Sequence, residues 1–261
     1  MIRRTFSSIL PIVLASFAPL AFAAAQPPAP NAPAEQADMK PIFNGKDLTG
    51  WDGNTKLWTV KDGVITGQST RENPCKSNTF LIYTGENGKE PAQIADFELR
   101  LSYRIHGGNS GVQYRSKHLV GHKDNAWVAS GYQAEIADLP GKDGFLYEEK
   151  GPGRGGINGK KSYLAWPGDK VEIGEDGVSK VVGKLGDHAA IAAACKKGDW
   201  NDYIIIARGN HLQHYINGVQ TIDVIDNDPK HRALSGILAL QMHAAPAMTV
   251  EFKNIRIKEY K

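Results

Sequence analysis

The sequence predicts an all-β fold, an antiparallel sandwich or barrel, and three observations support this prediction. Apolar and polar residues alternate with a period of two along most of the chain after residue 57. Turn dipeptides such as Asn-Gly and Asp-Gly separate these runs. Helical periodicity is weak throughout, and strands do not alternate with helices. Many short strands joined by tight turns, without crossover helices, are typical of a sandwich or barrel.

The first 38 residues precede this pattern and differ from it in composition. Residues 1–25 combine a basic start, a short apolar stretch and small residues, in the order found in secretory signal peptides. Residues 26–38 are rich in Pro and Ala and predict a disordered tether. We therefore expect an exported protein, periplasmic or secreted, with no membrane contact after signal cleavage and one folded domain over 39–261.

The first predicted strands flank Asp62-Gly63, where "LWTVKDGVITG" has the pattern of a tight hairpin. "DFELRLSYRI" follows, with apolar residues such as Phe97 on one face and charged residues on the other. This alternation predicts a half-buried strand with a solvent-exposed back. In "GYQAEIAD", residues 131–138, the side chains of Gln133 and Glu135 share one face of a strand.

The stretch 148–199 interrupts the alternation and is rich in Gly and Lys. We interpret it as a long inserted loop region with some short strands, in which "DHAAIAAACKKG" predicts a short helix. Beyond it, Gly209-Asn210 and Asn217-Gly218 divide 203–225 into a three-stranded meander. The apolar phase of the last strand changes after residue 252, which predicts a β-bulge near residues 253–254.

Composition and motifs argue against several function classes. The net charge of +3 includes two arginines of the first 25 residues, and the chain has no long basic run, so nucleic-acid binding has no electrostatic support. "GPGRGG" fits the dinucleotide-binding pattern G-x-G-x-x-G, but Pro152 lies inside it and no strand–turn–helix unit surrounds it. Cys75 and Cys195 permit one disulfide in an exported protein, and their spacing is not that of a zinc site.

Three predicted strands carry long hydrogen-bonding side chains two residues apart. These pairs are Gln113 with Arg115, Gln133 with Glu135, and Gln241 with His243. A solvated outer face would explain any one pair, but together they are the groups that bind sugar hydroxyls. Three aromatic side chains could accompany them, either as flat platforms for sugar rings or as parts of the core: Tyr114, Tyr147 and Trp200. Asn109 either binds a ligand or closes a turn.

Seven segments occur in an order that is specific as a set. They are "FNGKDLTGW", "DFELRLSYR", "NSGVQYR", "GYQAEIAD", "GDWNDYIIIARGN", "YINGV" and "ILALQMHAAPAMTVEFKNIRIK". Together they resemble the 3-keto-disaccharide hydrolase domain family, long known only as a domain of unknown function, over about residues 41–260. The resemblance implies a concanavalin A-like, glucanase-type β-sandwich of the jelly-roll kind, with a concave sheet that binds sugar. Family members commonly read Glu-x-Gln where this chain has Gln133-Ala134-Glu135, so the acid and the amide are exchanged.

The resemblance also implies action on glycosides oxidised to the ketone at C3, an oxidised glycoside being the expected carbohydrate partner. A C3 ketone acidifies the C2 hydrogen, and the enolate formed by its removal expels the C1 oxygen. We expect Glu135 or His243 to act as base and acid, and Arg115, or a divalent metal ion held partly by Asp138, to stabilise the enolate. Gln133 and Gln241 would hold hydroxyl groups of the substrate, and Asn109 is a further candidate substrate-binding residue. Asp138 is alternatively a turn residue that ends its strand.

Two other functions fit the same residues. One is a non-catalytic carbohydrate-binding module on the same sandwich, which predicts saturable binding without turnover and tolerance of E135Q. The other is an ordinary glycosidase that uses Glu135 with Asp138 or another acid. That enzyme would cleave unoxidised glycosides and require a second essential carboxylate.

Overall fold

The computed structural model describes residues 26, 28–85, 88–139, 141–244 and 247–260. The predicted signal peptide, residues 1–25, lies outside these residues. The strands are β1 Lys40–Pro41, β2 Trp51–Asp52, β3 Trp58–Lys61, β4 Val64–Ser69, β5 Thr79–Tyr83, β6 Phe97–His106, β7 Asn109–His118, β8 Ala129–Ala137, β9 Leu146–Glu149, β10 Tyr163–Ala165, β11 Asp169–Ile173, β12 Ser179–Lys184, β13 Asn201–Arg208, β14 His211–Ile216, β15 Val219–Asp226, β16 Ile237–Met242 and β17 Met248–Glu259. A 3₁₀ turn spans Ile157–Gly159, and helix α1 spans His188–Ala192.

These strands form two sheets that pack face to face, as the all-β prediction required. The ten-stranded sheet has the order β12-β11-β15-β14-β13-β6-β17-β4-β3, with β1 paired to β17. The seven-stranded sheet has the order β10-β9-β8-β7-β16-β5-β2. All pairings between these strands are antiparallel except that of β11 with β15. The fold is a β-sandwich of the jelly-roll kind.

The predicted turns and strands appear where their sequence patterns place them. Asp62 and Gly63 join β3 to β4, and both have the positive φ that a tight hairpin turn requires. The meander runs from β13 to β15 as predicted. Helix α1 begins after Asp187, whose carboxylate accepts the Ala190 N–H as an N-cap. The region 148–199 contains strands of both sheets rather than loops alone, since β9 and β10 extend one sheet and β11 and β12 the other.

The core lies between the sheets and comes from the alternation seen in the sequence. β6 and β13 contribute Leu99, Leu101 and Ile205, and β8 and β16 contribute Ile136 and Leu240, all of them buried. Burying a large aliphatic side chain stabilises a fold by about 1.5–3 kcal/mol. The alternation in β6 and in β8 therefore fixes which face of each strand points into the sandwich.

Two β-bulges change the direction of side chains. One lies in β17, where Asn254 has φ of 55° and the pairing with β6 shifts register between Lys253 and Arg256. This bulge brings the side chains of Phe252 and Ile255 into the same core and confirms the prediction of a β-bulge near residues 253–254. The other lies in β7, where Arg115 has φ of 47° and the pairing with β8 shifts register between Tyr114 and Lys117.

Residues 28–38, predicted as part of a disordered tether, lie against the outer face of the ten-stranded sheet. The N–H groups of Asn31 and Ala32 donate to the Gly218 carbonyl at 2.8 and 2.9 Å. Glu35 pairs with Arg256, and Asp38 with Lys258. We call residues 28–38 the N-terminal strap.

The strap changes the environment of the outer face of β6. That face was expected to be solvent-exposed, but Glu98 and Arg100 are buried and paired with each other at 2.6 Å. Arg100 also donates to the Pro33 carbonyl at 2.7 Å. Ala32 packs against the outward side chains of β13 and β14. The expectation of a wet back for this strand is therefore wrong, because the strap covers part of it.

The two cysteines are free thiols in the structure. Cys75 lies in the core, where burial raises the pKa of its thiol to about 11. Cys195 follows helix α1, and burial raises the pKa of its thiol as well. Among the described residues, no helix has the length and apolar character needed to cross a membrane.

Candidate functional site

The outer face of the seven-stranded sheet carries a buried polar cluster at its centre. Gln133 and Glu135 both point to this face from β8, while Tyr132, Ala134 and Ile136 point into the core, as the alternation predicted. Gly111 of β7 lies directly opposite Glu135 in the strand pairing. A Cβ atom on Gly111 would lie 2.5 Å from Cγ of Gln133, so the missing side chain leaves room for Gln133 to lie flat across β7.

Hydrogen bonds in this cluster converge on the carboxylate of Glu135. Gln133 Nε2 donates to Glu135 Oε2 at 2.6 Å, and Asn109 Nδ2 donates to Glu135 Oε1 at 3.0 Å. Gln133 Nε2 also lies 3.3 Å from Gln241 Oε1. The side-chain carbonyl of Gln133 accepts from Gln113 Nε2 at 2.7 Å. Glu135 is thus held by two neutral amides and forms no ion pair with the residues the structure describes.

A second carboxylate, Glu149 of β9, shows that this face is concave. Its Oε2 lies 3.4 Å from Gln241 Nε2, and its Oε1 accepts from Asn78 Nδ2 at 3.2 Å. β8 and β7 lie between β9 and β16, so a flat sheet would separate these strands by about 14 Å. Contact between their side chains therefore requires the sheet to curl around the cluster.

A cleft of about 390 Å³ opens beside Glu135. Its lining residues are Gly108, Asn109, Glu135, Ala137, Asp138, Leu139, Lys142, Phe145 and Tyr163. This volume lies within the usual range of small-molecule sites, about 300–1,000 Å³. Tyr163 stacks on Phe145 with 5.4 Å between ring centroids and on Trp166 at 5.4 Å, so one wall of the cleft is aromatic.

A larger groove of about 800 Å³ lies on the opposite side of the molecule, along the strap and the ten-stranded sheet. Its charged side chains satisfy one another, since Arg256 pairs with Glu35 and Arg100 with Glu98. The cleft at Glu135 instead holds an acid without a cationic partner. Chemistry rather than size therefore makes the smaller cleft the candidate site.

Burial changes the protonation of the groups at this site. It raises the pKa of Glu135 to about 7, although the hydrogen bonds from Gln133 and Asn109 oppose that rise. Burial also raises the pKa of Glu149 and raises the pKa of Asp143, behind the cleft, to about 6. Burial lowers the pKa of His243, which favours its neutral form. A group with a pKa near 7 exchanges protons readily at neutral pH.

The structure brings together most of the residues that the sequence proposed for the site. Glu135, Gln133, Gln241 and Asn109 form one hydrogen-bonded cluster. His243 follows β16 directly, and its Nδ1 is buried without a hydrogen-bond partner. A buried nitrogen without a hydrogen-bond partner is unusual in a folded protein.

Asp138 and Tyr147 lie at the margins of this cluster. Asp138 lines the cleft, where its Oδ2 accepts the Gly107 N–H at 2.9 Å, so it ends its strand as a turn residue does. Tyr147 is half-buried and packs edge-on against Phe145 and Tyr163, the rings of the cleft wall.

Arg115 is not at the site. The bulge in β7 turns its side chain away from Gln113, and its guanidinium ties the two sheets together instead. It donates to the carbonyls of Ala95 and Gly209 at 2.7 and 2.5 Å and pairs with Asp96 at 2.7 Å. The expectation that Gln113 and Arg115 share a face is wrong, because one extra residue reverses the alternation, and Arg115 does not line the cleft where an enolate would need it.

Tyr114 and Trp200 are also remote from the cleft. Tyr114 is fully buried between the sheets, where its hydroxyl lies 3.0 Å from Nε2 of His214. Trp200 lies on the ten-stranded sheet, with Lys253 Nζ 3.9 Å and Arg104 Cζ 4.9 Å from its ring centroid. Tyr114 is thus part of the core, the alternative given for it from the sequence, and Trp200 does not line the cleft; the rings that do are Phe145 and Tyr163.

The described residues contain no group of three or more His, Cys, Asp or Glu side chains arranged to hold a metal ion. Both oxygens of Glu135 accept from amide groups, and Oδ2 of Asp138 accepts a backbone N–H. This donor set does not fit the divalent ion considered from the sequence, and no step is assigned to one.

Four residues of the site do not follow from the sequence patterns. Gln113 stands out only for its pairing with Arg115, and Glu149 lies at the start of the predicted loop region. The alternation of Tyr147 and Glu149, two residues apart, is the signal that could place both on the sheet. Lys142 and Tyr163 lie in loop or edge segments, and no local pattern assigns them to the cleft.

Comparison with known proteins gives a family and a fold. The model of the 3-keto-alpha-glucoside-1,2-lyase-like domain family matches residues 38–258. Among curated proteins, no sequence matches the chain. A structure from Parabacteroides distasonis ATCC 8503, provisionally described as a glycosyl hydrolase, aligns with 85% of this chain and 94% of its own at 19% identity and a TM-score of 0.51. A Bacillus subtilis protein of unknown function with a galectin-like fold aligns with 85% of this chain and 95% of its own at 8% identity and a TM-score of 0.51. These two structures share the sandwich fold with this chain.

Proposed function

The chain belongs to the 3-keto-alpha-glucoside-1,2-lyase-like domain family, and from this premise we propose that it is a carbohydrate-active enzyme that cleaves 3-keto-glycosides. The reaction is removal of the C2 proton followed by expulsion of the C1 oxygen. One observation carries the proposal: Glu135 is a buried carboxylate with a pKa of about 7, held by neutral amides beside a sugar-sized cleft.

Glu135 is the base in this reaction. Its carboxylate takes the C2 proton of the substrate, and the electrons of that C–H bond form an enolate with the C3 ketone. When the enolate collapses, the C1–O bond breaks, an enone forms, and the leaving oxygen takes the proton now held by Glu135. A carboxyl group with a pKa near 7 serves both transfers, because it is neither too weak a base nor too weak an acid.

Water addition to the enone completes net hydrolysis. The hydroxide portion of the water molecule bonds to C1, and its other proton returns to C2. Release of the enone before this step makes the outcome a lyase reaction instead. This route needs one proton-transfer group and a stabilised enolate, and it does not need the pair of carboxylates that flanks an ordinary glycosidic bond.

Two further residues complete the assignment. Lys142 is the cationic side chain among those that line the cleft, and it takes the enolate-stabilising role that the sequence had given to Arg115. His243, whose pKa burial lowers, is the second candidate base. Gln133 and Gln241 are almost fully buried, so in this proposal they hold the catalytic acid in place rather than contact sugar hydroxyls.

Export to the periplasm or the medium is part of the same proposal, and it is supported by the composition of residues 1–25. Glycosides and their oxidised derivatives are small polar molecules. An exported enzyme would meet them outside the cytoplasm.

The experiment is turnover of a 3-keto-glucoside by the purified protein beside its unoxidised parent, with and without a chelator. We expect cleavage of the keto form alone, and exchange of its C2 hydrogen with deuterium in D₂O. Cleavage of the parent glucoside would indicate an ordinary glycosidase that uses Asp138 or another acid. Saturable binding without turnover of either compound would indicate a binding module, and sensitivity to the chelator would contradict the metal-free assignment.

A further inference from the structure

A buried hydroxyl lies at the end of the amide chain that holds Glu135. Ser116 Oγ donates to Gln113 Oε1 at 2.5 Å, Gln113 Nε2 donates to Gln133 Oε1 at 2.7 Å, and Gln133 Nε2 donates to Glu135 Oε2 at 2.6 Å. All four side chains are at most 4% exposed. These three hydrogen bonds form one directed series, which we call the amide relay.

The fold makes a specific place for Ser116. In a regular strand, residues three apart point to opposite faces, so Ser116 and Gln113 meet only because of the bulge at Arg115. Glycines on both neighbouring strands leave the space for it. A Cβ on Gly131 of β8 would lie 2.7 Å from Ser116 Oγ, and a Cβ on Gly236, just before β16, would collide with the Ser116 backbone.

The charge of Glu135 sets the direction of the relay. An ionised carboxylate accepts hydrogen bonds only, so the Gln133 amide must turn its nitrogen toward Glu135 and its oxygen toward Gln113. Gln113 must then present its nitrogen to Gln133 and its oxygen to Ser116. That oxygen is buried and needs a donor, and the hydroxyl proton of Ser116 supplies it. Two backbone carbonyls lie farther from Ser116 Oγ, at 3.1 and 3.2 Å.

We propose that Ser116 is a positioning residue for Glu135 and acts through the side-chain amides of Gln113 and Gln133. It does not reach the cleft and contacts no substrate. Its hydroxyl favours the one orientation of the two amides in which Gln133 donates to the carboxylate. Its effect on turnover rests on the proposed function, whereas its effect on the Glu135 carboxylate does not.

Other groups around Glu135 also influence its protonation and must stay constant in a test. Asp143 and Glu149 face it from the neighbouring loop and from β9, and both raise its pKa. Asp138, Lys142 and Tyr163 share its cleft. Tyr203 donates to its backbone carbonyl from the opposite sheet at 3.3 Å. None of these groups hydrogen-bonds to Ser116 or Gln113 in the described structure.

The test is the titration of Glu135 in the free protein, followed by ¹³C NMR of its side-chain carboxyl carbon, in wild type, S116A and S110A. Ser110 is a matched control because it is a fully buried serine of the same strand, but its hydroxyl donates to the Gln241 backbone carbonyl at 2.7 Å, outside the relay. We expect S116A to raise the pKa of Glu135 by roughly 0.5–1 unit, the worth of one net hydrogen bond. S110A should leave it unchanged.

A second variant, Q113M, breaks the relay one step nearer to Glu135 and should shift the titration in the same direction. Thermal unfolding of each variant confirms that the comparison is made on folded protein. If S116A and S110A lower stability alike and neither moves the Glu135 titration, Ser116 is a structural residue only and the proposal is overturned. A shift of the Glu135 titration in S116A without any turnover of 3-keto-glucoside by wild type would support the relay and contradict the proposed reaction. If the wild type does turn over the 3-keto-glucoside, the acidic limb of the pH–rate profile of S116A should move to higher pH together with the Glu135 titration.

Discussion

Gln133 donates its side-chain amide to Glu135, two residues farther along the same strand, with 2.6 Å between Nε2 and Oε2. Side chains two apart on a strand point the same way, and the absence of a side chain at Gly111 lets the glutamine lie down beside the acid. The acid is thereby fixed at the cleft wall without a cation that would lower its pKa. This arrangement makes both the chemistry and the stability of the protein sensitive to a few side chains.

Replacement of Glu135 by Gln should abolish catalysis while leaving the fold intact. The substitution keeps the size of the side chain and removes the proton-transfer group, whose loss typically slows an enzyme by about 10²–10⁴-fold. The measurement is kcat on a 3-keto-glucoside. Unchanged turnover in E135Q would move the base to His243, which H243A would then reveal.

The stability of the protein should depend on the ionisation of Glu135. Its pKa in the folded protein, about 7, is above its ordinary value of 4.5, so ionisation opposes folding. The acid therefore does not weaken the fold below pH 4.5, and stability falls as the pH rises from about 4.5 to 7. The total change is on the order of 3 kcal/mol.

Chemical unfolding of wild type and E135Q across this pH range measures that dependence. The wild type should lose stability relative to E135Q as the pH rises, since the glutamine does not ionise. Asp143, with a pKa raised to about 6, contributes in the same direction in both proteins, so only its coupling to Glu135 remains in the difference. A constant difference between pH 4 and pH 8 would show that Glu135 titrates normally.

Substitution of Gly111 of β7 by Ala should disturb the hydrogen bond between Gln133 and Glu135 on the neighbouring strand β8. The new Cβ would lie 2.5 Å from Cγ and 2.7 Å from Cδ of Gln133, which forces the amide away from Glu135. We expect a loss of turnover of at least about tenfold and a destabilisation of about 1–3 kcal/mol, typical of overpacking. G183A is the control, because a Cβ there meets its nearest neighbour, Lys170, at an ordinary 3.4 Å. Equal activity of G111A and wild type would show that Gln133 does not lie across β7 in the active protein.

The aromatic wall of the cleft should contribute to sugar binding, and the ring on the other sheet should not. Y163A removes the ring that stacks on both Phe145 and Trp166, and we expect KM to rise by about tenfold, the worth of one aromatic contact. W200A removes a ring on the ten-stranded sheet and should leave KM unchanged. The reverse result would move the sugar site to the opposite face.

Removal of the N-terminal strap should lower stability more than the loss of its ion pairs alone. A chain that begins at Met39 uncovers the outward side chains Ile204, Ile206 and Tyr215, which are at most 7% exposed beneath it. We expect a loss on the order of 2 kcal/mol from this exposure. E35Q weakens only the surface pair with Arg256 and should cost less than about 1 kcal/mol. Equal thermal stability of the full and shortened chains would restore the interpretation of this segment as a free tether.

The sequence is sufficient to predict the sandwich, the hairpins and which side chains of β8 point inward or outward, because these features depend on local patterns. Period-two alternation alone places Gln133 and Glu135 on one face of their strand. The bulge in β17 is also predictable, since a change of apolar phase indicates it. Each of these features depends on about ten consecutive residues of the chain.

The errors arise where the deciding contact is distant or the irregularity leaves no pattern. The bulge at Arg115 changes no apolar phase, so alternation places this residue on the wrong face. Glu149 reaches Gln241 only because the sheet curls, and curvature is a property of seven strands together. The position of Trp200 depends on which sheet follows the inserted region, which no local pattern encodes.

The order of synthesis affects when the N-terminal strap can dock, because the strands that it contacts are synthesised long after it. Glu35 and Arg256 are 221 positions apart in the sequence. During synthesis, residues 28–38 emerge well before the strands that they contact and find no surface to occupy until β13, β14 and β17 exist. Contacts of such separation form late, since the entropy of closing the loop must be overcome beforehand. The strap would therefore remain undocked until the last of these strands is in place, and its docking would come at the end of folding.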